Sequence, residues 1–128
     1  MENSSQDIVV ERYKNPRYRG SLEPSDLDFD DDNPLCGDHI RISLRISSSG
    51  EVIDARFDGE GCAVSQAAAD LLMEAIIGKT IDELRGLGKL DVLQMLKLDN
   101  SSSRAKCAIL PLKVMRECLY GAEDDVPE

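Results

Sequence analysis

Positive charge is in short supply in this sequence. Fifteen Lys and Arg stand against 25 Asp and Glu, giving a formal net charge of -10. A chain of that sign has no long-range attraction for phosphate, which argues against nucleic acid and makes a basic protein surface the better partner. Long apolar runs are missing as well. The longest, Cys107 to Leu112, falls far short of the ~20 residues a membrane-spanning helix needs, so no membrane role is expected. Residues 1–7 (MENSSQD) have neither the basic start nor the apolar segment of a signal peptide. A cytoplasmic setting is therefore expected, where thiols stay reduced. There is a single histidine, and the four cysteines include no Cys-x-x-Cys pair, which argues against a redox disulfide protein. No internal repeat or low-complexity segment is present.

What is there reads as one globular domain spanning residues 1–128, with 41% hydrophobic residues and with ends at 1–6 and 122–128 expected to be loose. Ser4 or Ser5 caps a short helix that turns Ile8, Val9 and Tyr13 to one face and stops at Asn15-Pro16. Residues 23–32, with Glu23, Asp26, Asp28 and Asp30 to Asp32, read as a solvated acidic loop. A short strand within 21–30 is the lesser possibility, as is a docking patch for a basic partner. From His39 to Ile46, Ile40, Ile42, Leu44 and Ile46 alternate with Arg41, Ser43 and Arg45, the period of a half-buried strand. After the turn at Ser47 to Gly50, Ile53, Ala55 and Phe57 alternate with Asp54, Arg56 and Asp58 and complete a hairpin. Helical spacing follows over 65–77, closed by Gly78. A capping box at Thr80 to Glu83 opens a further short helix, and another piece is expected at about 91–96. A last helix runs to about Tyr120. Pro111 removes a backbone donor and crowds the carbonyl of Cys107, so this helix is expected to start only at 108–110, leaving Cys107 in the preceding loop. Strands first and helices afterwards predict an α+β domain, a small antiparallel sheet of three strands, or at least a hairpin, with helices on one face.

The chemistry gathers at element ends. Cys36 and Asp38, joined by Gly37, precede the first clear strand. Cys62 leaves the hairpin just before a helix, and Cys107 lies at or before the start of the last one. A cysteine at a helix N-terminus feels the partial positive charge there, which favours thiolate, the form that binds metal and attacks sulfur. Three thiolates and one carboxylate make the four ligands of a tetrahedral Zn²⁺, and the oxygen ligand gives a more exchangeable corner than a fourth sulfur would. His39 follows Asp38 on a strand, so its side chain should point the other way, as a surface residue. Cys118 lies too far along the last helix to share a metal with Cys107 and is expected in the core.

Four segments in this order resemble the IscU/NifU-type iron–sulfur assembly family: Tyr13 to Arg17 (YKNPR), Asn33 to Asp38 (NPLCGD), Gly61 to Ser65 (GCAVS) and Lys106 to Ala108 (KCA). They span most of the chain, and the fold implied is IscU-like. Lys106 stands where the scaffold branch has a histidine, and residues 101–103 are serines rather than that branch's chaperone-read segment. The run Arg104 to Leu110 resembles instead the SufU branch, although Cys62 and Cys107 are 45 positions apart, without that branch's usual insertion. The resemblance implies metal ligation by Cys36, Asp38, Cys62 and Cys107. It also implies a pyridoxal-phosphate cysteine desulfurase (SufS/IscS type) as sulfur donor, with apo iron–sulfur proteins or other assembly factors downstream. Cys36 is the sulfur acceptor by analogy with SufU, and Cys107 by analogy with the scaffold branch; Arg104 would orient the incoming sulfur. A [2Fe–2S] cluster assembled on the same ligands is the first alternative, and a structural zinc module acting through protein contact is the second.

Overall fold

The computed structural model describes residues 4–33, 37–99 and 104–120. The loose ends expected at 1–6 and 122–128 lie outside these, apart from residues 4–6, which form the start of the first helix. In chain order the elements are α1 (Ser5–Lys14), β1 (Leu27–Asn33), β2 (Asp38–Ile46), β3 (Val52–Glu60), α2 (Ala63–Ile76), α3 (Ile81–Leu84), α4 (Lys89–Met95) and α5 (Ala105–Tyr120). The strands form one antiparallel sheet in the order β1-β2-β3, with α2 against β3 and α5 against β1 and β2. The α+β architecture with a three-stranded antiparallel sheet is as expected.

From Leu27 onward the acidic stretch is a strand, the lesser possibility of the sequence, and only Glu23 to Asp26 lie in the loop before it. Its alternation explains why: Leu27 and Phe29 pack against the core, while Asp28, Asp30 and Asp32 point away. Facing outward, each aspartate meets a cation or hydroxyl of β2. Asp28 takes both Arg41 Nε and Nη2 at 2.8 Å and Ser43 Oγ at 3.1 Å, while Asp30 and Asp32 flank His39. Cross-strand pairing offsets the poor strand propensity of aspartate.

Ile40, Ile42 and Leu44 of β2 are fully buried, as the alternation requires. On β3 the inward set differs by one position: Val52, Ala55 and Phe57 are buried, and Ile53 is 56% exposed. A bulge explains the shift, because Ile46 pairs with Val52 while Arg45 pairs with Asp54, leaving Ile53 as the extra residue. A similar exchange occurs on α1, whose N-terminus is closed by a Ser4–Asp7 capping box. Val9 is buried, but Tyr13 is exposed and Arg12 takes the inward place. Arg12 is admitted because Asp70 and Glu74 of α2 receive its guanidinium at 2.7 and 2.8 Å.

Ala67, Ala68, Leu72, Met73 and Ile76 of α2 lie at the centre of the core, and the small alanines let this helix sit close to the sheet. Contrary to the late start expected from Pro111, α5 begins at Ala105 and carries the proline inside it. Burial of Ala108, Leu112 and Met115 against the sheet and α2 compensates for the backbone bond that proline cannot make.

Candidate metal centre

One end of the sheet brings together the first residue of β2, the residue capping α2 and the first turn of α5. Asp38, Cys62 and Cys107 each place a donor atom there, all within 4.8 Å of one another. Cys107 thus lies in the helix and not in the loop, which points it along the first turn of α5 toward the N-cap of α2. Both sulfurs are half-buried, and Asp38 is 1% exposed.

Among the described residues, Cys62 orients Asp38. The Cys62 N–H donates to its Oδ1 at 2.8 Å, while Cys62 Sγ lies 3.7 Å from Oδ2. Cys62 Sγ is also 3.8 Å from Ser65 Oγ, whose hydroxyl donates to the Cys62 carbonyl at 3.0 Å and pins the first turn of α2. Gly61 makes the approach possible. Its φ of 142° lies in the region that favours glycine, and a Cβ there would stand 2.1 Å from Asp38 Oδ1.

This donor set fits a divalent cation. In a tetrahedral zinc site the edges between sulfur and oxygen ligands are about 3.5–3.8 Å, and the Cys62–Asp38 separation is of that size already. Among the described residues no cation pairs with Asp38, so its buried carboxylate has one N–H donor and two thiols as neighbours. A buried anion so placed is stabilised by a positive ion.

Cys36 lies outside the described residues, although Gly37, with φ 71°, leads directly from it into Asp38. Arg104 is exposed in the turn before α5 and lines a depression of about 320 Å³ with Gln6, Val9, Val10 and Ala63, next in sequence to Cys62. His39 is on the opposite face of β2 from Asp38. It is held between Asp30 Oδ2, at 3.1 Å from Nε2, and Asp32. The hydrogen bond to Asp32 raises its pKa above the usual imidazole value. It is the surface residue expected. Cys118 belongs to α5, but its side chain lies outside the described set. The sequence places Gly61 and Ser65 in a family motif but gives neither a role at the site. The available signal was the pair of glycines, Gly59 and Gly61, bracketing one residue before a cysteine.

Comparison with known proteins follows the same lines. The family model described as NifU-like N terminal domain matches residues 4–121. The zinc-dependent sulfurtransferase SufU of Bacillus subtilis is 34% identical over 86% of this chain and 85% of its own. The iron–sulfur cluster assembly scaffold protein IscU of Thermotoga maritima is 33% identical over 88% of this chain and 90% of its own. Among solved structures, FiSufU of Fervidobacterium islandicum superposes with a TM-score of 0.77 at 24% identity, covering 88% of this chain and 94% of that one. The N-terminal part of a NifU-like protein from Brucella abortus gives 0.74 at 21% identity, covering 94% and 98%. These superpositions carry the fold, and the sequence matches carry the family: the chain belongs to the NifU-like N terminal domain family.

Proposed function

We propose that this protein serves iron–sulfur cluster assembly by accepting sulfur from a cysteine desulfurase at a zinc site made by Cys36, Asp38, Cys62 and Cys107. The observation that carries the reading is the meeting of Asp38, Cys62 and Cys107 within 4.8 Å around a buried carboxylate with no cationic partner among the described residues. The SufU of B. subtilis, which is zinc-dependent by name, supports it. Bound zinc supplies positive charge that keeps the surrounding thiols deprotonated at neutral pH.

The chain's own groups then do the following. Asp38, held by the Cys62 N–H, presents its second oxygen to the site. Cys62 caps α2 and Cys107 lies in the first turn of α5, so both present sulfur to the same place. Cys36, joined in sequence to Asp38 by Gly37, is the attacking sulfur. Its thiolate displaces at the outer sulfur of a persulfide on the desulfurase. One S–S bond forms on Cys36 as another breaks, and the desulfurase cysteine leaves as thiolate. Arg104, which shares a depression with Ala63, the residue after Cys62, orients the incoming anionic sulfur. Cys107 is the alternative acceptor.

A second reading, assembly of a [2Fe–2S] cluster on the same ligands, is favoured by the short Cys62–Cys107 spacing of 45 positions and by the IscU relative. Desulfurase turnover on cysteine, with and without the anaerobic zinc-loaded protein, separates the two. Stimulation that vanishes in Cys36→Ala is the expected result. Absence of stimulation, with uptake of iron and sulfide, would replace it with the scaffold reading.

A further inference from the structure

The segment Tyr18 to Gly20, just beyond the first motif, runs along the free edge of β3. Phe57 N–H donates to the Tyr18 carbonyl at 3.0 Å, and Gly20 N–H donates to the Phe57 carbonyl at 2.8 Å. Upstream, the N–H groups of Arg17 and Tyr18 both donate to Asp70 Oδ1 at 2.8 Å, fixing the segment to α2. Between these anchors the Arg19 side chain is aimed along β3 toward the metal centre, with its guanidinium 6.0 Å from the Phe57 ring centroid.

Its two terminal nitrogens reach different elements. Nη2 donates to the Gly59 carbonyl at 2.7 Å, and Nη1 donates to Gln66 Oε1 at 3.1 Å. Gly59 is the next-to-last residue of β3, and Gln66 is 3% exposed in the first turn of α2, where its own N–H donates to the Cys62 carbonyl at 3.3 Å. Between them Gly59 and Glu60 still pair with Ile40 and His39 of β2, and Gly61 alone links the strand to the N-cap of α2; both glycines lie in left-handed backbone, which gives this connector little stiffness of its own. Neither glycine accepts a side chain: a Cβ on Gly59 would meet the His39 carbonyl oxygen at 1.9 Å. The connector therefore takes its rigidity from outside, and one planar fork joins its two ends.

We infer that Arg19 is a positioning residue for the metal centre, clamping the connector through Gly59 and Gln66 so that Cys62 is held in place for ligation. Its role in metal binding rests on the zinc reading above, whereas the clamp itself is a property of the metal-free protein. Arg19→Ala removes the bridge and Gln66→Met removes one of its two ends, and Arg45→Ala, an outer-face arginine that donates to the Pro24 carbonyl, is the control.

In the metal-free protein, amide hydrogen exchange at Cys62 rises about tenfold in Arg19→Ala, the loss expected for a hydrogen bond from a charged donor. The double variant with Gln66→Met adds little more, because both changes break the same bridge. Cobalt(II) is the metal probe: the ligand-field absorption of the loaded protein shifts in Arg19→Ala and not in Arg45→Ala. Arg19→Lys keeps the charge near Asp58 but cannot span both acceptors, so it behaves like Arg19→Ala; it also serves if the alanine variant fails to fold. Unchanged Cys62 exchange in Arg19→Lys and Gln66→Met would overturn the clamp. Failure of the wild type to bind cobalt or zinc would instead remove the metal reading, while the exchange result still decides the clamp.

Discussion

Asp38 and Asp70 are both buried carboxylates, 1% and 0% exposed, and they are treated differently by their surroundings. Asp70 is fully engaged. Arg12 Nη1 reaches one oxygen at 2.7 Å, and the N–H groups of Arg17 and Tyr18 share the other. Its charge is neutralised from within the chain, and it ties α1 and the following turn to α2. Asp38 has the Cys62 N–H and two thiols for company, and no cation among the described residues. One carboxylate completes the fold; the other leaves a charge for something else to balance. Glu117 is intermediate: buried, with Lys113 Nζ 3.9 Å from Oε1 and with Oε2 lacking a partner among the described residues.

Three substitutions test that contrast. Asp70→Ala should cost the most, about 3–5 kcal/mol in denaturant unfolding, because it strands Arg12 and two backbone donors. A loss below about 1 kcal/mol would mean that water replaces the carboxylate and that the engagement of Asp70 is not what anchors α1.

Glu117→Gln comes next, and its sign depends on pH. Burial, followed by the neighbouring Asp31 carboxylate, pushes Glu117 up to about 7. A carboxyl group raised on folding contributes stability below its unfolded value of 4.5, and that contribution is lost as pH rises through about 7. Glutamine has no proton to lose, so the variant should be more stable than wild type by about 2 kcal/mol at pH 8, with the gain gone near pH 5. A gain independent of pH would point to packing instead.

Asp38→Ala should be the mildest in the metal-free protein, within about 1 kcal/mol. The lost hydrogen bond to Cys62 is offset by removal of a buried charge. In the same variant, zinc retention against a chromophoric chelator should collapse by two orders of magnitude or more. A variant that unfolds without metal would identify Asp38 as a structural residue like Asp70.

Reading the chain alone carried much of this. Ile40, Ile42 and Leu44 declare their strand by period, Thr80 and Glu83 form the capping box their spacing suggests, and the short cysteine motifs point to the family. Where reading failed, the deciding partner was distant in sequence. Asp28 looked like loop until Arg41 and Ser43 lay across from it, and Tyr13 looked like core until Asp70 made Arg12 the better inward residue. Ile53 was displaced by a bulge, a local choice of register that periodicity does not record.

The amino-acid sequence by itself determined most of the elements, the ligand types and the family, because side-chain period, capping and local motifs are properties of neighbours along the chain. Only the tertiary structure decided that Asp38, Cys62 and Cys107 share one place and that α5 starts early enough to put Cys107 there. It also decided that Asp38, unlike Asp70, is buried without a cation of its own among the described residues. The reason is physical: burial and charge compensation depend on which groups the fold brings together, and here those groups lie 24 to 69 positions apart.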